Sequence, residues 1–241
     1  MIYAFTGLKQ SGKNTAARIW QHLDAYYNCK EIRHIVEAAE KQKNGDTSIA
    51  TDISKYADPI TYVTSRIGDD VAYSEWIERQ FSEKLKQIIC IITGCHPNDL
   101  AREEFRNTSS GFHKSPVCGG TYTYRELMDH VGTNLFRKEL AANIWVNALL
   151  QEYKSHAYTQ RPNWLITDMR MRNEAEAVKF LNGKIIRLVN TSEFTNLSNL
   201  PDTEYEVILI DADYTIENNK ELPLENLIRQ VGDIMSAENI I

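Results

Sequence analysis

The stretch Gly7-Leu-Lys9-Gln-Ser11-Gly12-Lys13-Asn14-Thr15 carries the residue types and spacing that commit this chain to a chemistry. A short apolar run, Ile2 to Thr6, enters it and an amphipathic segment leaves it. A strand, a glycine-bearing turn and a helix in that order point successive backbone N–H groups at one place, which makes an anion site for nucleotide phosphates. Gly7 and Gly12 permit turns and close approaches that a Cβ would block. The Lys13 ammonium reaches β- and γ-phosphate oxygens. The residue after such a lysine is usually Ser or Thr, whose hydroxyl binds Mg²⁺; here it is Asn14, with Thr15 one later. Either Asn14 offers its amide oxygen to the metal, or the ion relies on carboxylates and water. A plain strand-to-helix turn would need neither both glycines nor the lysine.

A second group is Asp168-Met-Arg170-Met-Arg172-Asn-Glu174, directly after the short apolar run Trp164 to Thr167. A carboxylate at a strand end can hold Mg²⁺ through water or accept a proton. Arginines two and four residues on give planar forks for phosphate oxygens. Phosphoryl transfer asks for alignment and for positive charge where the transferred group spreads its negative charge. A solvated turn with salt bridges is the plainer reading of the same residues, and the phosphate loop weighs against it. A third group runs from Tyr124-Arg125 through Gly132-Thr133-Asn134 to Arg137 and on to Trp145. Arg125 and Arg137 can clamp a substrate phosphate. Trp145 either stacks on a base or fills the core, and composition favours the core. No pair of the six histidines has metal-ligand spacing.

Elements must hold these groups together. Residues 2–6 read as a central strand, and Lys13 to Tyr27 as a helix with Ala16, Ile19, Trp20 and Leu23 on its core face. Residues 28–75 read as irregular or inserted, with a helical stretch at Ile32–Lys41, a turn at Asn44-Gly45-Asp46 and a breaker at Asp58-Pro59. Trp76 to Thr93 has a helical period, stopped by Gly94. Residues 107–122 form a loop or flap. Tyr124 to about Tyr153 reads as two helices breaking near Gly132. Trp164–Thr167 and Lys184–Val189 read as strands, with a helix from Glu174 to Asn182 between them, capped by Gly183. Val207–Ile210 is a further strand or merges with Tyr214–Ile216, and Leu224–Ile234 closes the chain as a helix. Strands alternating with helices imply an α/β fold with a parallel sheet, whose ligands sit beyond the strands' carboxyl ends. The phosphate loop and Asp168 both lie at such ends.

The 241 residues suffice for one α/β domain with inserted segments. A net charge of −6 argues against a general nucleic-acid surface. Cys29, Cys90, Cys95 and Cys118 make no C-x-x-C pair and fit a reducing cytoplasm. No apolar run approaches the ~20 residues of a membrane span. The N-terminal apolar stretch reads as a buried strand and not as a leader.

In their order along the chain, these motifs resemble the deoxynucleoside monophosphate kinases of tailed bacteriophages. The supporting stretches are Gly7 to Thr15, Phe81-Ser-Glu-Lys-Leu-Lys86, Arg125 to Arg137 with Trp145-Val146, Asp168 to Glu174, and Asp213 to Asn219. The resemblance implies a P-loop kinase fold and transfer of the ATP γ-phosphate, with Mg²⁺, to a deoxynucleoside monophosphate in the host cytoplasm. It implies that Gly7, Lys9, Ser11, Gly12, Lys13, Asn14 and Thr15 hold ATP, with Asn14 and Asp168 as the metal contacts. It places Lys13, Asp168 and Arg170 at the transfer site. Lys86, Arg125, Arg137, Trp145, Arg172 and Glu174 then fall to the acceptor nucleotide, and relatives of this kind are dimers. Two features depart from the family's pattern: a His-x-Ser-Glu stretch after the penultimate strand is replaced by Asp202-Thr-Glu204, and residues 28–75 add length. The other readings are a P-loop kinase for another phosphorylated metabolite, such as a coenzyme precursor or phosphomevalonate, and an NTPase switch. The switch lacks an apolar strand ending in Asp-Glu.

Overall fold

The computed structural model describes residues 1–43, 54–56, 58–71, 73–114, 119–157, 160–190, 202–219 and 221–241. The turn expected at 44–46 lies outside them. The chain divides into two compact units, Met1–Arg79 with Pro162–Ile241, and Gln80–Arg161.

The first unit is built on a five-stranded, all-parallel sheet. Its strands are β1 (Ile2–Thr6), β2 (Trp76–Arg79), β5 (Asn163–Ile166), β6 (Lys184–Val189) and β7 (Tyr214–Glu217), in the order β2-β5-β1-β6-β7. All five residues of β1 are buried, as befits a strand covered on both faces. β1 pairs with β5 through Ile2↔Trp164 and with β6 through Thr6↔Arg187. Helix α1 (Lys13–Asn28) puts Ala16, Ile19, Trp20 and Leu23 into the core as its periodicity predicts. There Trp20 meets Tyr3, Phe5 and Trp76 at ring-centroid distances of 4.6, 6.4 and 5.3 Å. Helix α11 (Leu224–Ala237) adds Leu227, Ile228, Val231 and Met235 to the same core.

Several expectations need correction. The helical stretch expected at Ile32–Lys41 is α2 (Lys30–Lys43), and more of the supposedly irregular 28–75 stretch is regular: a 3₁₀ turn (Ser54–Tyr56) and α3 (Pro59–Arg66). Asp58 is the N-cap of α3, accepting from Thr61 N at 2.9 Å with Pro59 behind it, so the breaker starts a helix. The segment Trp76–Thr93 is not one helix. Trp76–Arg79 is an edge strand paired with Asn163–Ile166, and helix α4 runs only over Glu83–Thr93. Trp76 is buried while Ile77 is 49% exposed, the alternation of a strand. Four residues are too few for that period to separate from a helical one. Val207–Ile210 is not a strand either: α10 spans Asp202–Leu209, and Val207 and Ile210 are buried at its end. Helix α9 covers Arg172–Phe180, and the left-handed residue after it is Asn182 (φ 57°). Gly183 serves close packing instead, because a Cβ there would lie 2.7 Å from Val178 Cγ1 and 3.1 Å from the Ile2 carbonyl oxygen.

The second unit is mostly helical. After α4, which Gly94 ends at φ 74° as expected, come α5 (Pro97–Ala101) and α6 (Glu103–Arg106). Strands β3 (Ser109–His113) and β4 (Thr121–Thr123) pair antiparallel, so the expected flap is a β-ribbon on both sides of residues 115–118, which lie outside the described set. Helix α7 (Tyr124–Asp129) starts from a capping box between Thr123 and Glu126. It runs on without a break into a π-helix, His130–Leu140. The break expected at Gly132 falls at Ala141–Asn143, before α8 (Ile144–Ser155). Leu85, Ile89, Leu100, Tyr124, Leu127, Val131 and Trp145 form this unit's core. Among the described residues no helix is long and apolar enough to cross a membrane.

Candidate active site

The first unit gathers the phosphate loop and Asp168 at the carboxyl edge of its sheet. β1 delivers the chain into Gly7, whose φ of +147° and packing both demand glycine. A Cβ there would lie 2.5 Å from the Leu188 carbonyl oxygen and 2.6 Å from Ser11 Oγ. Gly12, at φ +97°, is the N-cap of α1, and a Cβ on it would fall 2.3 Å from Asn218 Nδ2. The first-turn N–H groups of α1 have no acceptor within their helix and carry its positive dipole end. Lys13 is buried in the loop and donates from Nζ to the Gly7 and Leu8 carbonyls, both at 2.8 Å, and to Ser11 Oγ at 3.4 Å. Its ammonium is thus held in the middle of the turn. Lys9 and Asn14 are exposed, and Thr15 is half-buried.

Strand β5 sits next to β1 and ends just before Asp168, which is half-buried. The preceding Thr167 is buried and donates its hydroxyl to Glu78 Oε1 at 2.8 Å, while its N–H donates to the Arg79 carbonyl at 3.2 Å. The Arg79 guanidinium lies 4.4 Å from the Trp164 indole centroid. These contacts tie the ends of β2 and β5 together and fix the place from which Asp168 projects. Glu174 is 2% exposed, and its Oε2 accepts from Arg170 N at 2.9 Å and Met171 N at 3.1 Å. Its carboxylate therefore shapes the turn that presents Arg170. Arg170 and Arg172 are both exposed.

The second unit holds the other expected residues. Lys86, half-buried on α4, donates to Gln80 Oε1, and Lys84 pairs with Glu152 at 3.3 Å. Arg125 donates to Asn107 Oδ1 and Glu103 Oε1, both at 3.1 Å. Arg137 is half-buried on the π-helix. Trp145 is 4% exposed, packs its ring 5.1 Å from Phe136, and donates Nε1–H to the Gly132 carbonyl at 3.0 Å. Its core reading is the one the packing supports. A stacking platform for a base needs an open ring face.

Over residues 76–231 the sequence matches the family model described as deoxynucleotide monophosphate kinase. The chain belongs to that family. It is a kinase that phosphorylates deoxynucleotide monophosphates using ATP, and its five-stranded parallel sheet flanked by helices is a P-loop kinase fold. The matched stretch starts at β2, so the phosphate loop of this kinase stands on its own geometry. A search of curated proteins finds no match to the chain.

Two residues at the kinase's sheet edge escaped the sequence reading. Asn218, just after β7, donates Nδ2–H to the Ser11 carbonyl at 2.8 Å. Nothing in a single sequence links positions that far apart, although Asn218 lies in a stretch already noted for its family likeness. Glu78 was hidden by the reading of Trp76–Thr93 as one helix; as the penultimate residue of a strand next to β5, it is a carboxylate at the edge where ligands bind.

Proposed function

We propose that this kinase transfers the ATP γ-phosphate to a deoxynucleoside 5′-monophosphate, giving the diphosphate for DNA synthesis, with the roles divided as follows. The loop from Gly7 to Thr15 takes the ATP phosphates on its N–H groups, and Lys13 turns from the Gly7 and Leu8 carbonyls to the β- and γ-oxygens. Asp168 and Arg170 act at the transferred group. Lys86, Arg125, Arg137 and Arg172 supply charge for the acceptor phosphate.

The loop carries this reading. It combines Gly7, where a Cβ would meet the Leu188 carbonyl oxygen, and Gly12, at a left-handed φ, with a buried lysine whose Nζ is held by carbonyl oxygens. Such a turn positions donors before the ligand arrives, so little reorganisation remains for the reaction.

Among the described residues no group of three or more His, Cys, Asp or Glu side chains forms a metal cage. Mg²⁺ needs none, because it keeps several waters and binds through one or two carboxylates plus substrate phosphates. Half-buried Asp168 and exposed Asn14 are a donor set of that kind. When bound, the ion neutralises charge on the β- and γ-phosphates.

The test is ADP release from ATP·Mg²⁺ with each deoxynucleoside monophosphate in turn, with AMP, GMP, CMP and UMP, and with no acceptor. Release that depends on a deoxynucleotide is the expected outcome. Release without any acceptor, or silence with all of them, overturns the assignment.

A further inference from the structure

Where α4 gives way to α5, the chain holds two thiols against each other. Cys90 lies in the last turn of α4, and Cys95 follows the Gly94 that ends it. Gly94 donates its N–H to the Cys90 carbonyl at 2.8 Å, and its left-handed φ of 74° turns the chain back on the helix end. Cys95 N–H donates to Thr93 Oγ1 at 3.4 Å. The turn brings the two side chains together, and Cys95 Sγ donates to Cys90 Sγ at 3.6 Å. Both are half-buried and pack on the core that Leu85, Ile89 and Leu100 help to form. Cys29 is placed differently: it lies in the first unit, and its Sγ donates to Glu31 Oε2 at 3.0 Å.

We propose that Cys90 and Cys95 form an oxidant-responsive dithiol site, which closes to a disulfide by exchange with a small disulfide of the glutathione type and reopens with thiol reductant. The sulfurs already touch, and a disulfide asks them only to close to about 2.05 Å. Both thiols ride on one turn, so closure crosses no other element. Cys95 is the entry point, flanked by exposed Gly94 and His96. Burial, helped by the Cys95 hydrogen bond, pushes the Cys90 thiol up to about 11, so Cys90 stays protonated until a mixed disulfide stands beside it. In the first step Cys95 gives its proton to water, and its thiolate attacks one sulfur of the small disulfide. That S–S bond breaks, and the first small thiolate leaves and takes up a proton. In the second step Cys90 loses its proton and attacks Cys95 Sγ, expelling the second small thiol. Two protein thiols are oxidised, and one small disulfide is reduced to two thiols. In a reducing compartment the site rests as the dithiol and closes when the small disulfide accumulates, as transient intracellular disulfides do.

The test incubates the whole chain with oxidised glutathione, blocks the remaining thiols with N-ethylmaleimide, and weighs the tryptic peptides. Residues 87–102, between the cuts at Lys86 and Arg102, form one peptide that carries both cysteines. The expected result is that this peptide escapes the block and loses two hydrogen atoms. Dithiothreitol added before the block should return both thiols. Cys90→Ser should trap glutathione on Cys95, and Cys95→Ser should leave Cys90 open to the block. The wild-type result stands even where a variant fails to fold. Two blocked thiols in the wild-type peptide would overturn the proposal. So would glutathione held on wild-type Cys95, or a bond from either cysteine to Cys29 or Cys118. Glutathione on Cys90 in the Cys95→Ser variant would overturn the order of attack.

Discussion

Asn218 Nδ2 donates to the Ser11 carbonyl at 2.8 Å, and the same nitrogen occupies the space where a Cβ on Gly12 would sit, 2.3 Å away. The residue just after β7 therefore buttresses the phosphate loop and stands where a side chain on its last glycine would go. Losing one neutral hydrogen bond costs about 1 kcal/mol, so Asn218→Ala should raise KM for ATP about fivefold with little change in kcat. Gly12→Ala should be far worse, combining the clash with a left-handed φ of +97°. Adding Asn218→Ala to Gly12→Ala removes the clash but not the backbone strain. A double-mutant cycle should then show the pair less impaired than the two effects summed. Simple additivity would mean that the two residues do not share this space.

Lys13 and Arg170 separate charge from architecture. Removing an electrostatic stabiliser of a transferred group typically costs about 3–4 kcal/mol, or ~10²–10³ in rate. Lys13→Ala and Arg170→Ala should each lose activity on that scale. Arg170 is exposed, so its variant should melt at the wild-type temperature. A large drop in melting temperature for Arg170→Ala would reassign that residue to the fold.

Glu174 does the opposite job. Its buried Oε2 takes two backbone N–H groups of the 170–171 turn. Glu174→Ala leaves both without that acceptor, which should destabilise the protein by about 1–3 kcal/mol and lower kcat by loosening Arg170. Glu174→Gln keeps one acceptor oxygen and should recover much of both. Equal damage from the two substitutions, read by thermal melting and steady-state kinetics together, would show that charge and not turn geometry matters there.

The parts legible in the sequence were those whose signal is local. Gly7, Gly12 and Lys13 announce their turn within one stretch, and the α1 face of Ala16, Ile19, Trp20 and Leu23 repeats four times at helical spacing. Edge strand β2 was lost because four residues cannot show a period and Ile77 happens to fall in step with the α4 face. Val207–Ile210 misled because a short buried apolar run looks alike in helix and strand. Glu174 was legible as a carboxylate near arginines, but its burial and its backbone partners were not. Asn218 and Glu78 act through contacts that only the sheet order creates.

Trp145 tests the core of the second unit. Its Nε1–H bonds the Gly132 carbonyl at 3.0 Å, and a Cβ on Gly132 would press to 2.6 Å from Leu85 Cδ2. Trp145→Phe should cost about 1 kcal/mol or more through the lost bond and volume. Gly132→Ala should cost about 1–3 kcal/mol through overpacking. Both should leave KM for the acceptor nearly unchanged. A KM rise after Trp145→Phe at unchanged stability would return the indole to the substrate.

His22 gives the first unit a pH dependence of predictable sign. It is 2% exposed on α1, edge-on to Tyr62 at 6.3 Å, and its Nε2 is buried with no hydrogen-bond partner. Burial, followed by the charges of Arg18 and Arg66, pulls its pKa below 6.5; Asp69 and a backbone bond at Arg66 oppose this more weakly. The unfolded chain therefore binds a proton at His22 more readily than the folded one. The stability that follows from a neutral His22 is present above about pH 6.5 and is lost as pH falls through the depressed folded value. Denaturant unfolding between pH 7.5 and 5 should show stability declining on the acid side of 6.5. His22→Leu should remove that part of the slope, whatever it does to stability at pH 7.5. An identical slope in the variant would place the titration on another group.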